Sequence, residues 1–87
     1  MPSWKDLNKF LINDNWIYEP RKSGTDKHYK KRLSNGSILV TRVSRGTGEI
    51  SSGLFSKILK SMECSKSYFN KVLANRRKST DDPVKRI

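Results

Sequence analysis

The feature that most constrains the fold of this chain is the dipeptide Asn35-Gly36, which lies between two runs of residues that can adopt an extended conformation. Asn-Gly is the strongest short signal for a β-hairpin, because both central residues of the tight turn need positive φ. The sequence therefore predicts two antiparallel strands, over 27–33 and 38–44. His28 falls on the first of them.

A two-residue turn fixes the register of this hairpin. It places Leu33 opposite Ile38 and His28 opposite Val43. Neither face of the pair is then cleanly apolar, whereas a half-buried antiparallel strand normally alternates. We therefore expect one face of the hairpin to be basic and functional, and the pattern alone leaves open which face is buried.

The residues before the hairpin predict a helix and a short strand. Ser3 and Asp6 form the capping pattern of a helix over 3–13, in which Trp4 and other apolar residues recur at helical spacing. The aromatic and β-branched run 16–18 predicts a short strand. Pro20 cannot donate a hydrogen bond to a neighbouring strand, so this strand either lies at the edge of the sheet or stops there.

Two further helices are predicted after the hairpin. Ser51 or Ser52 caps the first, and a stripe of apolar residues on it predicts a core face: Leu54, Phe55, Ile58, Leu59 and Met62. Ser65 caps the second, over 66–76. The fold class is therefore α+β, a three-stranded antiparallel sheet with helices on one face, in the order α-β-β-β-α plus an extra C-terminal helix. We expect one domain over 1–76 and a basic, flexible tail over 77–87.

Charge and composition limit the functions that this chain can have. The chain has 87 residues and carries 19 Lys and Arg against 8 acidic residues, a net charge of +11. This excess predicts a polyanionic partner such as RNA, DNA or an acidic protein surface.

One Cys and one His cannot build a zinc site or a disulfide, so no metal or other cofactor is expected. No apolar run approaches the length of a membrane span, and we expect a cytoplasmic protein.

His28 is the candidate catalytic residue. Cations accompany it along the strands, and we expect Lys27, Lys30 and Arg42 to bind phosphate. A neutral imidazole can take a proton from a ribose 2′-hydroxyl while Lys and Arg stabilise charge on the phosphate oxygens. That set suffices for metal-independent RNA cleavage. The alternative is an exposed strand histidine with no chemical task.

A family resemblance favours the catalytic interpretation. Trp16 begins the first strand, His28 precedes Gly36 by eight residues, and 39–43 reads Leu-Val-Thr-Arg-Val. The run 49–60, Glu-Ile-Ser-Ser-Gly-Leu-Phe-Ser-Lys-Ile-Leu-Lys, closes the pattern. In this order the segments resemble the HicA family of bacterial toxins, small ribonucleases that cleave mRNA and have a fold like that of double-stranded-RNA-binding domains (dsRBD-like).

The chain departs from the HicA pattern in three places. Asp26-Lys27 separates Gly24-Thr25 from His28, where the family has the histidine directly after Gly-Ser. The segment after the third strand lacks the family's Pro-His. The chain also continues for about 25 residues beyond the second helix, where a family member usually ends.

The resemblance implies an endoribonuclease with His28 as general base or acid. It also implies a HicB-type antitoxin that covers the active-site face, with DNA contacted only through that complex. We expect Gly24, Thr25 and Tyr29 to shape or line the RNA-binding site.

Two non-catalytic alternatives remain open. The first is an RNA-binding module in which His28 is incidental. The second is a helix-turn-helix over 54–76, whose second helix would present a set of polar and basic residues to DNA: Lys66, Ser67, Asn70, Lys71 and Arg77.

Overall fold

The computed structural model describes residues 2–20, 27–43, 48–75 and 78–87. Its elements follow the predicted order. They are α1 (Trp4–Asn13), β1 (Ile17–Glu19), β2 (Lys27–Arg32), β3 (Ile38–Val43), α2 (Ser52–Ser61) and α3 (Lys66–Leu73). The three strands form one antiparallel sheet in the order β1-β2-β3. The fold is therefore α+β, as the sequence predicts.

Helix α1 begins and ends where its sequence indicates. The Ser3 side chain accepts a hydrogen bond from the Asp6 amide, and the Asp6 carboxylate accepts one from the Ser3 amide, which together form a capping box. The helix ends at Asn13 with Asp14 as its C-cap, and Asn15 follows with φ of 63°. Leu7, Phe10 and Leu11 face the core and are fully buried.

The hairpin forms, but its register differs by one residue from the prediction. The Gly36 amide donates to the Leu33 carbonyl at 3.0 Å, and the Leu33 amide donates to the Ser37 carbonyl at 2.8 Å. Gly36 has φ of 90°, whereas Asn35 is not among the residues with positive φ. The loop is thus a three-residue type, a turn followed by one left-handed glycine, rather than a two-residue turn.

This slip exchanges the two faces of β3 relative to those of β2, because side chains alternate along a strand. Ile38 pairs with Arg32 instead of Leu33, and His28 pairs with Arg42 instead of Val43. The inner face now carries a consistent set of buried residues: Tyr29, Lys31, Leu33, Leu39, Thr41 and Val43. The outer face carries the rest.

Helices α2 and α3 complete the core. They differ from the prediction in two details, the burial of Leu54 and the end of α3. Ser51 caps α2 and Ser65 caps α3. Leu54, predicted as core, is 43% exposed. Helix α3 ends at Leu73 instead of 76, and Asn75 adopts φ of 58° just beyond it. The Phe69 ring packs against those of Phe10 and Phe55, with centroids 4.6 and 5.0 Å away.

The C-terminal segment 78–87 packs against the core, which corrects the expectation of a flexible tail over 77–87. Arg86 is fully buried, and its guanidinium forms a 2.8 Å ion pair with the buried Asp14 carboxylate. The Ser65 amide donates to the Arg86 carbonyl, and the Ser34 amide donates to the Asp81 carbonyl, each at 2.9 Å. The segment is therefore attached to both the hairpin loop and the start of α3.

Asp14 is the centre of a buried polar cluster. Its carboxylate accepts hydrogen bonds from Trp16 Nε1 at 2.8 Å, the Tyr68 hydroxyl at 2.6 Å and Ser79 Oγ at 2.9 Å, besides Arg86. Its backbone carbonyl accepts a 2.6 Å bond from the ammonium of Lys31, which also pairs with Asp81 at 3.0 Å. A buried lysine on the inner face is tolerated because this cluster satisfies its charge.

Candidate nucleic-acid interface

The outer face of the sheet gathers the candidate residues into rows across the strands. Residues directly opposite each other in an antiparallel pair share one face. Glu19, His28 and Arg42 form one row, and Ile17, Lys30 and Val40 form the next. Arg32 pairs with Ile38 in a third row. The face is therefore a mixture of cations and apolar side chains, among which Ile17 is 69% exposed and Val40 is 50% exposed.

His28 and Arg42 also line an open cleft of about 780 Å³ beside β3. One helical face of α2 forms the opposite wall, and the start of α1 contributes Trp4. The other lining residues are Val40, Thr41, Leu54, Lys57, Ile58 and Ser61. His28 is half-buried, so its imidazole stands at a surface that a ligand can reach.

Two sets of hydrogen bonds fix the walls of this cleft. The Ser61 hydroxyl donates to Thr41 Oγ1 at 3.3 Å, which joins the end of α2 to β3. The Trp4 amide donates to the Gly48 carbonyl at 3.2 Å, and the Ile50 amide donates to the Pro2 carbonyl at 2.9 Å. These backbone bonds hold the start of α1 beside the start of α2, and so place Trp4 at the cleft.

The edge of β3 supplies backbone groups to the cleft. The Leu33 amide donates the first hydrogen bond of the hairpin to the Ser37 carbonyl. Bonded pairs alternate along an antiparallel ladder, so the odd-numbered residues of β3 are the ones that bond to β2. The amide and carbonyl groups of Val40 and Arg42 therefore point away from β2. No further strand pairs with β3 within the ranges that the structure describes.

The structure places only some of the predicted site residues together. His28, Lys30 and Arg42 come together on the outer face. Lys27 pairs with the buried Val43 and so belongs to the inner face, opposite to its neighbour His28. Gly24 and Thr25 lie outside the described residues.

Tyr29 lies on the inner face and does not line the cleft. It is buried, its hydroxyl donates to Asn8 Oδ1 at 3.0 Å, and its ring centroid lies 5.5 Å from that of Tyr18. Burial, followed by the proximity of Tyr18, raises its pKa. Tyr29 therefore packs the sheet against α1.

Apart from His28 and Arg42, the described residues that line the cleft were not predicted from the sequence as site residues. Leu54 was assigned to the core, and Trp4 to the apolar face of α1. Lys57 and Ser61 are exposed on α2, where polar residues are ordinary. The i, i+3, i+4, i+7 spacing of Leu54, Lys57, Ile58 and Ser61 is the signal that places them on one helical face. Glu19 was likewise missed, and only the register puts it beside His28.

The second surface considered from the sequence lies on the other side of α2. On α3, Lys66, Ser67, Asn70 and Lys71 are exposed, while Tyr68, Phe69 and Val72 are buried. Lys66 and Asn70 line a separate groove with Phe55 and Leu59. Arg77, the fifth residue of the helix-turn-helix prediction, lies outside the described residues.

Among residues 2–20, 27–43, 48–75 and 78–87, no three His, Cys, Asp or Glu side chains group as potential metal ligands. None of the helices described here has both the length and the apolar character that spanning a bilayer requires. No family model, curated protein or solved structure matches the chain.

Proposed function

We propose that this chain is a HicA-like toxin with a dsRBD-like fold, a metal-independent endoribonuclease that cleaves mRNA in the cytoplasm. The observation that carries the proposal is the pairing of His28 with Arg42 across β2 and β3, where both residues line an open cleft beside β3. A side chain that can accept or donate a proton thus stands next to a permanent cation.

The reaction requires only a base, a proton donor and phosphate ligands. The imidazole of His28 takes the proton of a ribose 2′-hydroxyl as the 2′ oxygen forms a bond to phosphorus. The bond from phosphorus to the 5′ oxygen breaks, and that oxygen takes a proton from solvent or from the imidazolium. The products are a 2′,3′-cyclic phosphate and a free 5′-hydroxyl. Arg42 and Lys30 stabilise the charge on the non-bridging oxygens.

Cleavage of a long RNA in EDTA tests this proposal. The purified chain should cut the RNA and leave cyclic-phosphate ends. A His28→Ala chain should not cut, but should retain RNA affinity and the wild-type circular dichroism spectrum. Lys60→Ala is a matched control, because Lys60 is exposed on α2 and does not line the cleft. Cleavage by the folded His28→Ala chain would overturn the role of His28.

A HicB-type antitoxin is the proposed protein partner. A net charge of +11 and a cationic cleft favour an acidic inhibitory surface. Such a partner should protect the outer-face residues Lys30 and Arg42 from solvent while it blocks cleavage. Binding that leaves the cleft open and the ribonuclease active would contradict this proposal.

The second candidate is a nucleic-acid-binding protein without catalysis. The exposed polar face of α3 favours it, since Lys66 and Asn70 are one helical turn apart beside an open groove. RNA or duplex DNA binding without cleavage by either the wild-type or the His28→Ala chain would establish this function in place of the nuclease.

A further inference from the structure

The cleft between β3 and α2 combines two kinds of lining. Trp4, Val40 and Leu54 contribute apolar surface. Among the described residues that line it, the charged ones are basic: Arg42 and Lys57 stand on opposite walls, β3 and α2. A cleft of about 780 Å³ falls within the range of small-ligand sites.

An unpaired nucleotide has the matching chemistry. Its base offers flat π faces that pack against aromatic and aliphatic side chains, and its phosphate carries a negative charge. Its Watson–Crick edge needs hydrogen-bond partners, which the outward-facing backbone groups of Val40 and Arg42 can supply. In a duplex, stacking covers the base faces and pairing occupies their edges.

We propose that this cleft is a nucleotide-binding subsite that accepts one unpaired nucleotide of an RNA strand. The base packs against Trp4 and Leu54, and the flanking phosphate binds between Arg42 and Lys57. Lys57 and Trp4 thereby select single-stranded over double-stranded RNA. The role of this subsite in presenting a phosphate to His28 rests on the proposed ribonuclease function. Binding of a nucleotide in the cleft does not itself require cleavage.

The position of His28 connects the subsite to the reaction. His28 lies on the same cleft lining as Trp4 and Lys57. A nucleotide held by the base in this cleft brings its own ribose and phosphate within the part of the surface that His28 and Arg42 share. Holding the reacting groups together in this way lowers the entropic cost of reaching the transition state.

Binding of a 2′-O-methyl oligouridylate octamer tests the subsite without cleavage, because the octamer has no 2′-hydroxyl to react. We expect its binding to change the fluorescence of Trp4, whereas a duplex RNA of the same strand length leaves it unchanged. Trp16, the other tryptophan, is buried and bonded to Asp14, so a Trp4→Phe chain should lose the signal.

Charge reversal on α2 provides the matched comparison. Lys57→Glu should weaken octamer binding about tenfold, whereas Lys60→Glu, with the same change in net charge, should weaken it less than about twofold. Both lysines are exposed on α2, and only Lys57 lines the cleft. Equal losses from the two variants, absence of octamer binding, or an unchanged Trp4 signal at saturation would each overturn the subsite.

The two proposals fail in distinguishable ways. If the subsite is correct and the nuclease is not, Lys57→Glu weakens octamer binding while RNA is cleaved by neither the wild-type chain nor His28→Ala. If the nuclease is correct and the subsite is not, His28→Ala abolishes cleavage while Lys57→Glu and Lys60→Glu behave alike.

Discussion

The Asp14 carboxylate ties together three distant parts of the sequence. It accepts hydrogen bonds from Tyr68 on α3 and from Ser79 and Arg86 in the C-terminal segment. Arg86 donates in addition to the Met62 carbonyl at 2.9 Å, and its guanidinium lies 4.9 Å from the centroid of the Tyr68 ring. Both members of the ion pair are fully buried, so each charge depends on the other for compensation.

Removal of one member of this pair should be strongly destabilising. Arg86→Met leaves the Asp14 charge buried without its ionic partner, and we expect the free energy of unfolding to fall by about 3–5 kcal/mol in urea titrations. The Asp14→Asn, Arg86→Met double variant should lose less than the sum of the single losses. Val84→Ala, in the same segment but 78% exposed, should change stability by less than about 0.5 kcal/mol. Comparable losses from Arg86→Met and Val84→Ala would contradict this account.

Tyr68 should make the fold sensitive to alkali. Burial and the hydrogen bond to Asp14 raise its pKa from 10.0 to about 12. The unfolded chain therefore releases the phenolic proton first as pH rises. The stability from this group is complete below pH 10 and is lost as pH approaches about 12. Urea titrations over this range should show a shallower decline for Tyr68→Phe than for the wild-type chain; equal slopes would exclude Tyr68 as the source.

At the scale of elements, the sequence predicts the hairpin, the caps and the helix positions because these depend on local chemistry. Ser3, Ser51 and Ser65 each cap the helix that they precede. The predicted register of the hairpin was wrong because Asn-Gly occurs in loops of more than one length. Which loop forms depends on which face of each strand is buried. Lys31 obscured that choice, since its buried ammonium depends on partners far away in sequence, among them Asp14 and Asp81.

Two glycines in different backbone conformations should respond to alanine in opposite directions. Gly36 has φ of 90° and no atom within 4 Å of an added Cβ, so Gly36→Ala should cost about 1 kcal/mol through backbone strain alone. Gly53 lies in α2 without positive φ and is equally open. Gly53→Ala should stabilise by up to about 1 kcal/mol. Thermal unfolding of both variants checks the signs; a neutral Gly36→Ala would contradict the left-handed conformation at this position.

At the scale of the whole molecule, long-range packing limits what the sequence could predict. The segment 78–87 contains few apolar residues that would anchor it, so its packing follows from polar contacts to Asp14 that no local pattern signals. The same limit applies to the candidate site. His28, Lys30 and Arg42 were identified from their strands, whereas Trp4 and Lys57 join them only because α1 and α2 meet beside β3.

The distribution of charge gives the last prediction, which concerns where RNA binds. The chain carries a net charge of +11, so binding of single-stranded RNA should weaken with salt, with a logarithmic slope of about −0.7 for each phosphate neutralised. If the outer face of the sheet is the interface, Lys30→Ala and Arg42→Ala should each reduce that slope by about 0.7. Lys66→Ala, which removes an exposed cation from α3 on the far side of α2, should leave the slope unchanged. Binding measured between low and moderate salt decides between the two surfaces, because loss of slope in the Lys66 variant alone would move the interface to α3 and favour the helix-turn-helix alternative.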